Sequence, residues 1–271
     1  MTSKFFKTKR TNSIRAEIEG EGYPVLCLSG VACSNYNFHD LRNDLKDKYQ
    51  LVLVDNRGTG KSDALEGDYS LNDMAADGIE IMEQLGHKQY GVIGISMGGY
   101  IAQLVTLAAP TRVKSLALIS TCSGGDVFVK PWGRSEAELI ESYQLDIKER
   151  NKRFVAAFVH QPLKISNPKR FQEISDLREQ NQESLQTAVI HFRAIDQFLE
   201  TPIPIQTISC PTVVITGADD KLINPVNSGL LANMIPNAKL HVIKEANHLV
   251  YFEKHVEIAN HIKNFFKTSL K

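Results

Sequence analysis

The stretch Tyr90-Gly91-Val92-Ile93-Gly94-Ile95-Ser96-Met97-Gly98-Gly99-Tyr100-Ile101-Ala102 reads as a strand that passes through a glycine-rich turn directly into a helix pattern. Residues 90–95 form a short apolar run of the kind buried on both faces of a parallel sheet. Ser96 therefore stands in a G-x-S-x-G turn between strand and helix. Such a turn lifts a serine hydroxyl clear of the backbone, and small neighbours allow the close approach. The helix that starts there aims its free amides and positive dipole end at charge developing beside the serine. A helix-capping serine in a glycine-rich turn carries the same five letters. The strand before, the helix after and the partners downstream favour a nucleophile.

Working outward, further apolar runs at Val25 to Leu28, Leu51 to Val54, Val113 to Ser120 and Thr212 to Thr216 read as strands of the same buried sheet. They alternate with helix-length segments. Ser70 can cap a helix that runs to about Leu85, where Gly86 stops it. This alternation predicts an α/β fold. It breaks after Ser120. From Cys122 to about Thr201 the chain is highly charged, with helical apolar spacing in Phe154, Val155, Phe158, Val159 and again in Leu185, Val189, Phe192, Ile195. Strand-like sequence resumes after Thr201-Pro202-Ile203-Pro204. The expected organisation is a core of residues 1–121 and 202–271 with residues 122–201 inserted as a helical cap.

Composition supports one large soluble domain of 271 residues. Lysine plus arginine and aspartate plus glutamate both number 31, so no net charge draws the chain to nucleic acid or an anionic membrane. No apolar run is long enough to span a bilayer. Met1 to Arg10 is basic without an apolar segment after it, which reads as a solvated end and not a secretory signal. Cys27, Cys33, Cys122 and Cys210 lack close CxxC spacing, so they read as thiols of a cytoplasmic protein with no metal site.

A serine hydroxyl is a weak nucleophile and needs a base oriented by a carboxylate. Of eight histidines, His248 is the strongest candidate, because it follows the strand-like run Lys239 to Ile243 in a loop before a final helix. Loops at the carboxyl ends of strands are where open α/β sheets place their sites. His255 and His261 fall in a terminal helix pattern, His241 in a strand pattern and His87 in a turn, all ordinary settings for a non-catalytic histidine. His160 and His191 lie within 122–201, where they are pocket candidates more than bases. For the acid, Asp219 and Asp220 both follow a buried strand; Asp220 is preferred and Asp219 is the alternative.

At this point the chain resembles the α/β-hydrolase family along nearly its whole length. Asp55-Asn56-Arg57-Gly58-Thr59-Gly60-Lys61-Ser62 is similar to the family's D-x-R-G-x-G-x-S loop. Gly217-Ala218-Asp219-Asp220 is similar to its acid loop and Asn247-His248 to its base loop, and the order Ser, Asp, His is the family order. The resemblance assigns the acid to Asp220 and implies a mostly parallel, doubly wound sheet with an inserted cap. It also implies an oxyanion hole formed by the backbone amides of Val31 and Met97. Many members have His-Gly where this chain reads Ser29-Gly30, a change that a backbone donor tolerates.

The activity implied is hydrolysis of a small carboxylic ester or lactone through an acyl-enzyme, as in the esterase, enol-lactonase and acyl-carrier esterase branches, without metal or organic cofactor. Thioesterases, carbon–carbon bond hydrolases and perhydrolases use the same constellation, and a slow-turnover ligand sensor would retain it. Dehalogenase and epoxide-hydrolase branches place aspartate where Ser96 stands and are disfavoured. The expected partner is a small molecule, met by a monomer or homodimer. Asn35, Phe38, Trp132 and Phe158 are the candidate substrate contacts. The cap residues Arg150, Lys152, Arg153, Lys169 and Arg170 read as a solvated face, with an acidic acyl-carrier protein as the alternative partner. A rival nucleotide-binding reading of Gly60-Lys61-Ser62 fails at Asp55, where a P-loop needs glycine.

Overall fold

The computed structural model describes residues 1–9, 11–64, 67–131 and 135–269. Its sheet is built from β1 (Thr2–Thr8), β2 (Thr11–Glu19), β3 (Tyr23–Leu28), β4 (Tyr49–Val54), β5 (Tyr90–Ile95), β6 (Val113–Ile119), β7 (Thr212–Gly217) and β8 (Lys239–Ile243). The strand order is β1-β2-β4-β3-β5-β6-β7-β8. β2 runs antiparallel to both β1 and β4, and the remaining pairs are parallel.

Period-two alternation divides the strand side chains between two cores. Val25 and Cys27 of β3, Leu51 and Leu53 of β4, and Val213 and Ile215 of β7 enter one core; Leu26, Leu28, Val52, Val54 and Val214 enter the other. Both faces must therefore be covered by helices. Those helices are α1 (His39–Leu45), α2 (Leu71–Gln84), α3 (Met97–Ala108), α9 (Pro225–Met234) and α11 (His255–Ser269). Leu41 and Leu45 of α1 pack with Ile258, Ile262 and Phe266 of α11 in the first core. Met74 and Ile81 of α2, Ile101 and Val105 of α3, and Leu231 of α9 pack in the second. The start of α2 follows from its sequence: Ser70 accepts from the Asp73 amide and Asp73 returns a bond to Ser70, a reciprocal capping box.

Between β6 and β7 the chain forms α4 (Glu136–Ser142), α5 (Ile147–Phe158), α6 (Leu163–Ser166), α7 (Pro168–Gln180) and α8 (Leu185–Glu200). A short α10 (Val250–Glu253) follows His248. All four cysteines are buried and unpaired, and burial pushes the Cys122 thiol up to about 12 and that of Cys210 to about 11.

The reading of Met1 to Arg10 as a solvated end is corrected by β1. Phe6 and Thr8 turn inward, whereas Phe5 and the lysines remain exposed. Thr8 donates to Asp77 of α2, which ties the edge strand to the helix layer. Lysines along the open edge discourage pairing with a further strand.

Candidate active site

Ser96 takes φ +54° and ψ −119°, in the left-handed region that L-residues avoid. Surrounding contacts hold it there. Its amide donates to Ile119 O at 2.9 Å, and its carbonyl accepts from Thr121 Oγ1 at 2.9 Å. The neighbouring glycines are required by close approach. A Cβ on Gly98 would lie 2.0 Å from Leu28 O, and one on Gly94 would lie 2.2 Å from Gly98 O. The motif thus packs the first turn of α3 against the ends of β3 and β5.

His248 Nε2 lies 3.2 Å from Ser96 Oγ, and its Nδ1 lies 3.0 Å from Asp220 Oδ2. Asp220 is 5% exposed and His248 2% exposed, so solvent screens this pair little. Asp220 is itself fixed, because its Oδ1 accepts from the amides of Leu222 and Ile223 at 2.9 and 2.8 Å. Asp219 points elsewhere: it is exposed and meets His160 Nδ1 at 2.7 Å. The loop Ser29–Ala32 lies against the serine, with the ideal Cβ position of Gly30 3.4 Å from Ser96 Cβ. Among the described residues, neither the Val31 amide nor the Met97 amide donates a hydrogen bond.

Asn247, adjacent to His248, is a fully buried junction that sequence reasoning read only as part of the base loop. Its Oδ1 accepts from the amides of Lys221 and His248, and its Nδ2 donates to the Ala157 and Val159 carbonyls at the end of α5. Glu253 accepts from the amides of both Asn247 and His160. The acid loop, the base loop and the inserted helices therefore meet at one side chain. Nothing in the spacing of Asn247 marked this role.

Ser96 opens onto a cavity of about 570 Å³ beneath the inserted helices. Val31, Tyr36, Phe154, Phe158 and Phe192 contribute to its wall, and the Phe158 ring stands edge-on to His248 at 6.3 Å between centroids. Two expected substrate contacts are corrected. Asn35 is spent on Asp55, to which its amide and its side chain both donate at 2.9 Å, and Phe38 is fully buried in the core beside α1. The 3-10 turn Asn35–Phe38 aims Tyr36 at the cavity instead. Trp132 lies outside the described residues. Phe171 and Phe198 pack inward, the latter stacked on Tyr100. The basic face is also corrected in part: Arg150 lines the cavity, and Arg170 is paired with Asp40.

Asp55 fills its own loop. It accepts from Arg15, Asn35 and the Lys61 amide, and a Cβ on Gly60 would lie 2.3 Å from its Oδ2. A carboxylate occupies the place a phosphate would need.

A doubly wound sheet that lifts a serine on a strand-to-helix turn at its carboxyl edge, under helices inserted after β6, is the architecture of the α/β hydrolases. The chain belongs to the alpha/beta hydrolase fold family, whose model matches residues 23–255. It is similar to the carbamate hydrolase RutD of Azorhizobium caulinodans, with 27% identity covering 83% of each chain. It is also similar to a 2-hydroxy-6-oxononadienedioate/2-hydroxy-6-oxononatrienedioate hydrolase of Cupriavidus pinatubonensis, with 28% identity covering 76% of this chain and 72% of the relative. A thermophilic esterase from Thermogutta terrifontis shares the fold at a TM-score of 0.80 and 23% identity, with 99% of both chains covered. Among the described residues no helix is long and apolar enough to cross a membrane.

Proposed function

We propose that this hydrolase cleaves a small carboxylic ester or lactone by acyl transfer through Ser96. One observation carries the reading: Ser96, His248 and Asp220 form a continuous hydrogen-bonded chain that ends at a cavity large enough for a small ester. His248 Nε2 takes the hydroxyl proton as Ser96 Oγ attacks the carbonyl carbon. Asp220 accepts from Nδ1–H, which holds the ring in the productive tautomer and stabilises the imidazolium. The unpartnered amides of Val31 and Met97 receive the oxyanion, each contributing on the order of 3 kcal/mol to the barrier reduction. The alcohol departs with the proton from His248, and water repeats the sequence on the acyl-enzyme.

In this reading residues 122–201 act as a cap that keeps bulk water from the acyl-enzyme, and Phe158 forms the acyl wall beside His248. A carbamate, which one relative's name carries, and a ketone with a cleavable carbon–carbon bond both present a carbonyl to the same serine and belong in the substrate panel.

The test is covalent labelling followed by turnover. A fluorophosphonate should label the native chain and leave Ser96→Ala unlabelled; labelling that persists in Ser96→Ala identifies another nucleophile. p-Nitrophenyl esters graded by acyl length, run beside lactones, should show multiple turnovers. A single acyl burst without turnover would replace the enzyme with a ligand sensor.

A further inference from the structure

The cavity beside Ser96 contains a cation that the acyl-transfer chemistry does not use. Arg178, on α7, is half-buried and lines the cavity. Its described polar contacts are Tyr36 Oη at 3.2 Å and Cys33 Sγ at 3.8 Å, and its guanidinium lies over the Phe154 ring at 3.7 Å. Its Nε is buried without a partner. No carboxylate stands within ion-pair reach of Arg178 among the described residues.

The other enclosed arginines behave differently. Arg57 faces Asp77, Arg15 faces Asp55 and Glu17, Arg42 faces Glu17, and Arg170 faces Asp40. Enclosed charges are ordinarily paired because desolvation costs several kcal/mol per ion, on the order given by real proteins after relaxation. Arg178 departs from that rule inside the candidate active site, where a ligand can supply the missing charge.

A second cation deepens the anomaly. Arg150, on α5, lines the same cavity, stacks on Tyr143 at 3.8 Å and feels the charge of Arg178. Asn151 lines the cavity as well, and its Nδ2 is buried without a partner. The acids on the cavity wall do not neutralise this end. Glu136 is engaged by Arg193. Asp196 has Lys130 among the charges acting on it. Glu183 accepts from the Gly60 amide, and burial pushes it up to about 7.

We infer that Arg178, with Arg150 and the Asn151 amide, forms a carboxylate subsite, and that the substrate carries a free carboxylate besides the bond that is cleaved. This rests on the acyl-transfer reading for the cleaved bond, but the subsite itself is a binding claim. A planar guanidinium and a side-chain amide offer donors that suit a carboxylate's two oxygens. The rings of His248, Phe158 and Phe154 lead in sequence to Arg178, with centroid separations of 6.3 Å and 4.8 Å before the cation. The bridge between ester and carboxylate is accordingly an apolar chain laid along these rings.

The experiment compares the monomethyl and dimethyl esters of linear dicarboxylates graded in length from glutarate to dodecanedioate, on the native chain and on Arg178→Met and Arg178→Lys. The native kcat/KM should favour the monoester by about tenfold or more, since a site built to pair a charge rejects the analogue that lacks it. Arg178→Met should bring that ratio to about one, and Arg178→Lys should restore part of it. Equal values on the native chain at every length, or a ratio that survives in Arg178→Met, overturns the subsite. Binding of the same dicarboxylates to Ser96→Ala by calorimetry gives a readout independent of chemistry and of how Arg178→Met folds. If a dicarboxylate binds while no ester is cleaved, the subsite stands and the ester reading falls. If the esters are cleaved and no dicarboxylate binds, the subsite falls and the ester reading stands.

Discussion

Ala32 donates its amide proton to Nδ1 of His191 at 3.2 Å, so a side chain of α8 fixes the residue next to Val31. The other ring nitrogen, Nε2, donates to the Arg57 carbonyl at 3.0 Å. Burial pushes His191 down to about 4, which keeps the ring neutral and Nδ1 an acceptor. Ala32 has φ +47°, a conformation that this bond helps to hold.

His191→Leu removes the acceptor and should lower kcat by about tenfold or more with little change in KM, as expected for a displaced oxyanion donor. Folding stability tests the same contact by its pH dependence. Between about 4 and the ordinary histidine value near 6.5, the unfolded chain binds a proton that the native chain does not, so stability rises with pH across that window. The contribution is fully present above the window and is lost as pH falls through it, on the order of 3 kcal/mol for this shift. Denaturant titrations at pH 4.5 and 7 should show a smaller difference in His191→Leu than in the native chain.

The two adjacent aspartates should separate sharply. Asp220→Asn should reduce kcat by about 10³–10⁴, because an amide stabilises the wrong imidazole tautomer. Asp219→Asn loses only an exposed contact with His160 and should stay within about twofold of native activity. Comparable losses in both variants, measured by steady-state kinetics, would remove Asp220 from its assigned role.

Ser96 sits in strained backbone, so its replacement should reveal the strain. Ser96→Gly should be more stable than Ser96→Ala by about 1–2 kcal/mol in urea, since glycine accepts this conformation without a Cβ penalty. Equal stabilities would mean that the turn carries no appreciable strain.

Two glycines offer a matched contrast. Gly98→Ala pushes a Cβ into the Leu28 carbonyl at 2.0 Å and should cost about 3 kcal/mol or more while abolishing activity. Gly86→Ala meets open space at φ +79° and should cost about 1–2 kcal/mol, with activity retained. Thermal melts and turnover on the same preparations distinguish the two.

Much of the sheet was legible because β3, β4, β5, β6 and β7 carry short apolar runs buried on both faces. Ser96, Asp220 and His248 were legible for a related reason: each lies in the turn or loop that follows a strand, at the edge where loops emerge. β1 escaped because its lysines imitate a solvated end, and its pairing with β2 is a non-local fact. Asn35 and Phe38 were misplaced because proximity along the chain to Val31 does not determine which side of a 3-10 turn meets the cavity. Arg178 was missed altogether. Among the described residues no carboxylate pairs with it, and a missing partner in three dimensions leaves no mark on sequence spacing.

The hydrogen-bonded trio and the two free amides come from loops of the sheet and the first turn of α3, whereas Arg150 and Arg178 come from the helices between β6 and β7. On the proposed reading, substitutions in α5 and α7 change which molecules bind while the Ser96–His248–Asp220 chain keeps its geometry. Asn247 marks the limit of that freedom. Because it grips the end of α5 with one side of its amide and the His248 loop with the other, a change there disturbs both at once.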